Sequence, residues 1–421
     1  MRDDVLNRIR GFFTNSSDFN GILLSVLCIE FKTAWPKMEE IISDLVKESL
    51  ITLAFASHSV NPHIKRLPDL SVDEQLDALS KEGAGACAYP SADVIRRAVE
   101  LSVYDTKPFT RRLALAEAQL TPVFFDLDVL DKYYRDPRYH FDFHDYVGSI
   151  SITSEHYESP SVGEKDKILL QSFGIGYDPD RNRVVVAYLR YLADLSPEHQ
   201  QIWQAHVVSH ACTMNSDYAR TTISGDWPVY RSAYQAFLTE QAEINKLSQL
   251  IGKPTLFKET FEDNRPEGFT SMLRPTRQNF DEFIHLADKL VSENINQEFF
   301  KGDIPLEREV IRGGGSVEIQ RRGTLQLLEE WLKQKYRAQG GKDVSREVLE
   351  PFKKIRKLRQ KPAHALRDNE YDRSYPKQQD DILGEACLAL TKLRLILWSH
   401  PQARERYTPP NWLDGDKIVF Y

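Results

Sequence analysis

The sequence predicts an α+β protein, in which a mainly helical N-terminal region with a small antiparallel sheet precedes a C-terminal bundle of four helices. Three observations support this fold class. Apolar residues recur at three-to-four spacing in the first 120 residues, β-branched and aromatic residues concentrate between positions 121 and 194, and amphipathic segments dominate after position 275. We therefore expect three regions, at residues 1–120, 121–270 and 275–421.

The composition is that of an ordinary globular protein, with 41% hydrophobic and 28% charged residues among 421. The longest apolar run, residues 21–28, is shorter than the roughly 20 residues that span a bilayer. Its four cysteines lack the spacing of a disulfide framework or a zinc site. The net charge of −7 argues against a protein that coats nucleic acid. We expect a cytoplasmic protein with no membrane segment, metal or cofactor.

The first region is expected to be mostly helical. A long helix is predicted at residues 35–57, where apolar side chains form one stripe, and shorter helices are predicted at 72–80 and 91–103. Ser91 suits the position before a helix, because its hydroxyl can accept a hydrogen bond from a free amide of the first turn. Nothing in this region has catalytic spacing.

The middle region is predicted to contain a small sheet. Residues 147–153 form one expected strand, and residues 172–178 and 183–192 form a hairpin joined by 179–182. The preceding aromatic segment, Tyr133 to Tyr146, permits two interpretations. Its rings could stack on bases beside Arg135 and Arg138, or they could pack in and around the sheet. Packing is the favoured interpretation.

Two histidines define a minor alternative. A helix is predicted to begin at Ser196 and Pro197 and to contain His206 and His210. The two histidines are four residues apart, so both imidazoles could share a face and bind one metal ion. The Glu of a His-Glu-x-x-His motif is missing, and spacing assigns no third ligand. A metalloenzyme is therefore the least favoured of three functional hypotheses. Turn-forming residues at 254–269 suit a connection between domains.

The C-terminal third is predicted to be the helical bundle. Its four amphipathic helices are expected at residues 279–300, 324–336, 345–358 and 378–399. The connection between the first two contains Arg312 and the glycines 313–315. No Gly-Lys-Ser/Thr follows those glycines, so they indicate a flexible loop and not a phosphate-binding loop.

A basic run lies at the end of the third of these helices. Residues 351–367 read PFKKIRKLRQKPAHALR and hold seven Lys or Arg and no acid. Helical projection places Arg359 on the apolar side, whereas His364 would be about 140° away on an ideal helix. Pro362 should break that helix, and the break would let the two side chains converge. A guanidinium on an apolar side should meet a carboxylate, a phosphate or a partner chain.

The stretch LRQKPAH, with Arg359 and His364 separated by four residues, resembles the Arg-x4–6-His signature of HEPN-domain proteins, many of which are ribonucleases. The resemblance covers about residues 275–401. It implies a HEPN-like four-helix bundle, a homodimer in which two Arg–His sets share a cleft, and RNA cleavage without a metal. The implied catalytic residues are Arg359 and His364, with Gln360 at the position after the arginine, where the family often has Asn, Asp or His.

The chemistry of these residue types suits RNA cleavage, since His364 can move protons near neutral pH and Arg359 can grip phosphoryl oxygens. The remaining basic residues of the run would attract the RNA backbone; they are Lys353, Lys354, Arg356, Lys357, Lys361 and Arg367.

The leading hypothesis is therefore a metal-independent endoribonuclease, which the family resemblance suggests is a toxin or antiviral effector. The first 270 residues would then sense a ligand or bind a regulatory protein. The second hypothesis is a non-catalytic HEPN-like module that binds RNA or a protein and dimerises.

Overall fold

A computed structural model describes residues 1–59, 61–66, 69–311, 317–336, 343–360, 368–413 and 417–421. The chain forms two compact units, Met1–Trp227 and Pro228–Tyr421. The first unit combines helices with two antiparallel sheets, and the second is mainly helical with two small two-stranded sheets. The α+β class predicted from the sequence is confirmed. No described helix has the length and apolar content that crossing a membrane requires.

Most of the α-helices described in the first unit are short, with seven residues or fewer. The helices are α1 (Arg2–Asn15), α2 (Leu24–Glu30), α3 (Trp35–Lys47), α4 (Val72–Glu82), α5 (Ala92–Arg96), α6 (Pro108–Ala114), α7 (Asp131–Tyr134), α8 (Ser154–Tyr157), α9 (Leu189–Ala193), α10 (Pro197–Ala205) and α11 (Ser216–Ala219). Its strands are β1 (Ile22–Leu23), β2 (Ile51–Ala54), β3 (Cys87–Pro90), β4 (Pro122–Phe125), β5 (Tyr139–His144), β6 (Val147–Ile152), β7 (Leu169–Tyr177), β8 (Arg183–Tyr188) and β9 (Thr213–Met214).

The predicted long helix at 35–57 is wrong in its second half. Helix α3 ends at Lys47, and strand β2 begins at Ile51. Ser49 adopts a positive φ of 55°, which ends the helix, and the amide of Leu50 bonds back to the Leu45 carbonyl at 3.0 Å. Strand β2 then joins a three-stranded antiparallel sheet of order β1-β3-β2. Apolar spacing alone did not distinguish a helix from a helix followed by a short strand.

Two predicted helix starts in the first unit are confirmed. The Ser91 hydroxyl accepts a hydrogen bond from the Val94 amide at 3.4 Å, and the Ser196 hydroxyl accepts one from the His199 amide at 3.3 Å. The helix after Ser91 is much shorter than predicted, however. It ends at Arg96, and a separate 3₁₀ turn covers Leu101–Tyr104.

The larger sheet has the order β4-β8-β7-β6-β5, with β9 pairing on β7. The predicted strand at 147–153 and the predicted hairpin are confirmed as β6 and as β7 with β8. In the turn of that hairpin Arg181 takes a positive φ of 65°, and the Asp178 carboxylate accepts a hydrogen bond from the Asn182 amide at 2.7 Å. Strand β8 stops at Tyr188, where α9 begins.

The aromatic segment 133–146 packs as the favoured interpretation expected. Tyr133 is fully buried, and its hydroxyl lies 2.8 Å from Nδ1 of the buried His199. The ring of Phe143 stacks on that of Phe173. Arg138 is bound to the carboxylate of Asp136, with Nη2 and Oδ2 2.6 Å apart. These contacts explain the aromatic density by packing within the first unit.

The second unit contains the C-terminal helices and one long helix that precedes them. Its helices are α12 (Ala233–Leu250), α13 (Arg277–Asp288), α14 (Thr324–Lys335), α15 (Val344–Gln360), α16 (Tyr375–Trp398) and α17 (Pro401–Arg404). Its strands are β10 (Arg231–Ser232), β11 (Glu307–Ile311), β12 (Val317–Arg321) and β13 (Ile418–Val419). Helix α15 contacts α13, α14 and α16, and α16 in turn packs along α12.

The predicted region boundaries at 120 and 270 do not coincide with the division between Trp227 and Pro228. The reason is α12, which belongs to the core of the second unit although the sequence places it in the middle region. This helix buries polar side chains as well as apolar ones, including Thr239, Glu240 and Gln241, so it shows no single apolar stripe. The bundle therefore contains one more long helix than predicted.

The four helices predicted in the second unit are present with shifted bounds. The first of them is interrupted, because α13 ends at Asp288 and a π-helical turn covers Lys289–Glu293. The connection predicted as a flexible loop contains the hairpin of β11 and β12. The glycines 313–315 lie outside the described residues.

Candidate functional site

The site predicted from the sequence centres on the last turns of α15. The inner face of this helix is apolar, and Val348, Phe352 and Ile355 are at most 1% exposed. Arg359 follows on that side, as helical projection predicts, but its side chain is 32% exposed. The arginine thus stands at the border between the core and the surface.

Two carboxylates hold the Arg359 guanidinium. Its Nη1 lies 2.5 Å from Oδ2 of Asp288 and also contacts Oε1 of Glu293. The Asp288 side chain is 1% exposed, whereas that of Glu293 is 49% exposed. The hydrogen bonds that Arg359 donates, first to Asp288 and then to Glu293, raise its pKa above the usual value. The guanidinium therefore stays charged and is fixed in place by one buried and one exposed acid.

The π turn after α13 explains how one arginine reaches both acids. Asp288 and Glu293 are five residues apart, and on an ideal α-helix they would point about 140° away from each other. In a π turn the amide bonds to the carbonyl five residues earlier, as the Asn294 amide does to Lys289 at 3.0 Å. The widened turn places residues five apart on nearly the same side. Both carboxylates can then approach Nη1.

The buried acid depends on this contact. Burying a carboxylate without a partner is costly, and Oδ1 of Asp288 makes no hydrogen bond within the described ranges. Its second oxygen, Oδ2, takes the bond from Arg359. The arginine therefore stabilises the end of α13 against α15.

Two nitrogens of Arg359 have no partner among the described residues. Both of its contacts with carboxylates use Nη1, and neither Nη2 nor Nε forms a hydrogen bond with another described residue. A guanidinium has five N–H donors arranged as a fork, so one edge can still bind an anion in a bidentate way. With a third of the side chain exposed, a phosphate could approach that edge from solvent.

The other basic residues of α15 fall into two groups. Lys353 reaches Glu329 of α14 at 2.5 Å, and Lys354 reaches Glu385 of α16 at 2.7 Å. These two lysines therefore link α15 to its neighbours, although both remain exposed. In the described part of the chain, Arg356 and Lys357 form no ion pair.

Gln360 ends α15 and is exposed. The remaining residues predicted for the site, Lys361, His364 and Arg367, lie outside the described residues, as does Pro362. The structure thus locates Arg359 and the basic face before the histidine and leaves the predicted convergence of Arg359 and His364 as a prediction.

The histidine pair of the minor metal hypothesis does not share a helix face. His206 is the residue that follows α10, and its Nδ1 lies 3.0 Å from Oδ1 of Asp126. His210 lies beyond the end of the helix, where the spacing of four residues no longer brings the imidazoles together. Across the described ranges, no cluster of three or more His, Cys, Asp or Glu side chains could hold a metal ion.

Sequence reasoning missed Asp288 and Glu293. Asp288 could have been found, because it stands four residues after Ile284, on the apolar stripe of α13, where a carboxylate needs a partner. Glu293 could not, because its position depends on the π turn. No protein family, curated protein or solved structure matches this chain.

Proposed function

We propose that the second unit is a HEPN-like, metal-independent endoribonuclease in which Arg359 and His364 act on RNA. The observation that carries this proposal is the arrangement of Arg359, which two acids hold by Nη1 while its other nitrogens bind no other residue in the described part of the chain. The arginine sits at the end of a helix with a basic exposed face. It also directly precedes the segment that contains His364.

The proposed reaction is attack of an RNA 2′-hydroxyl on the adjacent phosphate, with departure of the 5′-oxygen. His364 would take up or deliver a proton, and Arg359 would stabilise the charge that develops on the phosphoryl oxygens. Asp288 and Glu293 would orient the guanidinium and limit its motion. Gln360, exposed beside Arg359, is the proposed polar companion.

Arg356 and Lys357 are the best candidates for contacts with the RNA backbone, because both lack an ion pair within the described residues. Lys353 and Lys354 would add long-range attraction while their ion pairs hold the helices together. Lys361 and Arg367 would extend the same track. This predicts that binding weakens as the salt concentration rises.

The cellular role proposed with this activity is that of a toxin or antiviral effector acting in the cytoplasm as a homodimer. The first 270 residues would then bind the ligand or protein that controls cleavage. The four cysteines are all free thiols, which accords with a reducing compartment.

A non-catalytic RNA- or protein-binding module is the second candidate, and one observation favours it. The charge of Arg359 is already balanced by two carboxylates, so the arginine has a structural role without any RNA. In this case the basic face would bind a partner while no bond is cut.

Cleavage of total RNA by the purified full chain in EDTA separates the two candidates. The nuclease proposal expects cleavage, a loss of about 100-fold or more in Arg359→Ala and a similar loss in His364→Ala. Arg346→Ala is the matched control, because Arg346 lies on the same helix and is exposed and bound to Glu350.

Circular dichroism and thermal unfolding would verify that each variant is folded. Cleavage that persists in both Arg359→Ala and His364→Ala would refute the assignment of the site. RNA binding without cleavage would instead establish the second candidate.

A further inference from the structure

The hairpin of β11 and β12 stands apart from the other sheets of the second unit. Its two strands pair antiparallel from Glu307 opposite Arg321 to Ile311 opposite Val317, without a bulge. At its base the Arg322 amide bonds to the Leu306 carbonyl at 2.9 Å. Among the described residues, neither strand pairs with a third.

A two-stranded hairpin is at best marginally stable in water, because half of its backbone groups have no strand to bond. Proteins usually protect such edges with lysine, proline or a bulge. Strand β12 reads Val-Glu-Ile-Gln-Arg and contains no lysine, proline or bulge, and its two charged residues, Glu318 and Arg321, have opposite charges. Its alternation of β-branched and polar residues is instead typical of a strand that has one apolar face covered.

The apolar residues of β12 are exposed on one face. Val317 is 56% exposed and Ile319 is 66% exposed, which places them among the exposed large hydrophobic residues of the chain. They are two positions apart, so their side chains point to the same side of the hairpin. Their neighbours across the hairpin are Ile311 and Glu309. The free edge and the exposed apolar pair thus coincide on β12.

We infer that β12 is a dimerisation strand, which pairs antiparallel with β12 of a second copy of this chain about a two-fold axis at Ile319. The two hairpins would then form one four-stranded sheet. In this register Ile319 faces its own counterpart, Val317 faces Arg321, and Glu318 faces Gln320. No like charges lie directly opposite each other, and cross-strand apolar pairs stabilise such a sheet.

Neighbouring registers and the other edge are less favourable. Pairing about Glu318 would place two glutamates opposite each other, and pairing about Gln320 would pair only residues 319–321 and leave Val317 without a partner in the strand. On β11, pairing about Glu309 would oppose two glutamates, pairing about Arg308 would oppose two arginines, and pairing about Val310 would pair only residues 309–311. The self-complementary pattern therefore belongs to β12, which is why a second copy is the occupant that fits this edge.

The predicted dimer is weak and depends on concentration, because two short hairpins bury less surface than a standard stable interface. This inference does not rest on the proposed nuclease activity. A monomeric protein could still cleave RNA, and a dimer of this type could form in a protein that does not.

Cysteine cross-linking tests the register directly. In Ile319→Cys the two thiols would lie on directly opposed residues, whose Cα atoms are about 4.5–5.5 Å apart, within reach of a disulfide. In the matched control Val317→Cys the two Cα atoms would be ~14 Å apart, too far for a bond. Mild oxidation should therefore give a covalent dimer of the full chain for Ile319→Cys and not for Val317→Cys.

The wild-type chain controls for its four native cysteines, and peptide mapping would identify the linked residue. Dimers linked equally through position 317 would overturn the register, as would cross-linking of Gln320→Cys in preference to Ile319→Cys. The absence of an Ile319→Cys dimer would overturn the inference.

Sedimentation of the uncross-linked chain supplies a second test. Ile319→Lys would place two lysines opposite each other, and we expect the dimer Kd to rise about tenfold or more, the equivalent of about 1.4 kcal/mol. Because residue 319 is exposed, the variant should remain folded by circular dichroism. An unchanged Kd, or a wild-type chain that stays monomeric at every concentration, would overturn the inference.

Discussion

Arg394 and Arg359 of the second unit both bind carboxylates, and they differ in how deeply they are buried. Arg394 of α16 is 0% exposed and lies 2.7 Å through Nε from Oε2 of Glu240 on α12, which is 2% exposed. Thr391 donates a hydrogen bond to the other oxygen of that glutamate at 2.7 Å. Arg359, by contrast, is 32% exposed. Arg394 is therefore paired inside the core, and Arg359 is paired at its border.

Because their burial differs, the two arginines have different roles. A fully buried ion pair cannot exchange its partner for a ligand, so Arg394 joins α12 to α16 and does nothing at the surface. Arg359 also joins two elements, α13 and α15, but part of its guanidinium faces solvent. Exposure, and not the presence of an ion pair, distinguishes the arginine that a ligand could reach from the one that it could not.

The largest expected effect is on stability, from Arg394→Met. Removing one member of a buried ion pair leaves an uncompensated charge, so the free energy of unfolding should fall by about 3–5 kcal/mol. Arg359→Met should cost less, about 1–3 kcal/mol, because Arg359 is itself partly exposed and one of its two acids, Glu293, is half-exposed, so solvent reaches the site. Urea unfolding of the full chain, followed by circular dichroism, measures both.

The double variant Arg394→Met with Glu240→Leu is the control, since it removes both charges and should recover much of the loss. If Arg394→Met and Arg359→Met lowered the free energy of unfolding equally, burial would not explain a difference between the two arginines. The distinction between a structural and an available arginine would then fail.

Helix α15 was the most predictable part of this comparison. Its periodicity and the apolar orientation of Arg359 follow from the sequence, because a single helix with one buried face has a simple pattern. The hairpin of β7 and β8 was equally clear, since β-branched strands flank a turn-forming segment. These elements depend mainly on residues close together in the chain.

Features that depend on distant contacts were not predictable. Helix α12 is buried with polar residues such as Glu240, whose burial makes sense only once Arg394 is placed beside it. The contact of Glu293 with Arg359 requires a π turn, which no residue pattern in 289–293 indicates. Strand β2 follows α3 so closely that the apolar residues of the strand also fit the helical spacing, and the two elements were predicted as one helix.

A carboxylate between the two extremes sharpens the comparison. Asp303 is 18% exposed and accepts hydrogen bonds from Lys253 at 2.5 Å, from Trp331 at 2.7 Å and from Lys335 at 3.0 Å. Burial by itself would raise its pKa, but these three donors outweigh burial and lower the pKa to about 2. The ionised form is therefore the one that stabilises the fold.

Asp303→Asn should lower the free energy of unfolding by about 2 kcal/mol at neutral pH. Because the pKa is lower in the folded chain, the stabilisation is complete above the unfolded value near 3.8 and is lost as the pH falls toward 2. The difference in free energy of unfolding between the variant and the wild type should therefore decrease as the pH falls from about 5 to about 3. Urea unfolding across this pH range measures that difference. If the difference stayed constant, the loss of stability in Asp303→Asn would come from packing and not from the charge.

The smallest expected effect is that of Glu293→Gln. Its side chain is 49% exposed, and exposed ion pairs contribute about 1 kcal/mol or less, so stability should change by no more than that. Salt should shrink even this contribution, because it screens exposed charges more than buried ones. Asp288→Asn is the matched variant, because the Asp288 carboxylate contacts the same nitrogen of Arg359 but is buried. Its loss of free energy of unfolding should be larger and less sensitive to salt. Urea unfolding of both variants at low and high salt tests this. If Glu293→Gln lost as much free energy of unfolding as Asp288→Asn, the exposed acid, and not the buried one, would hold Arg359 in place.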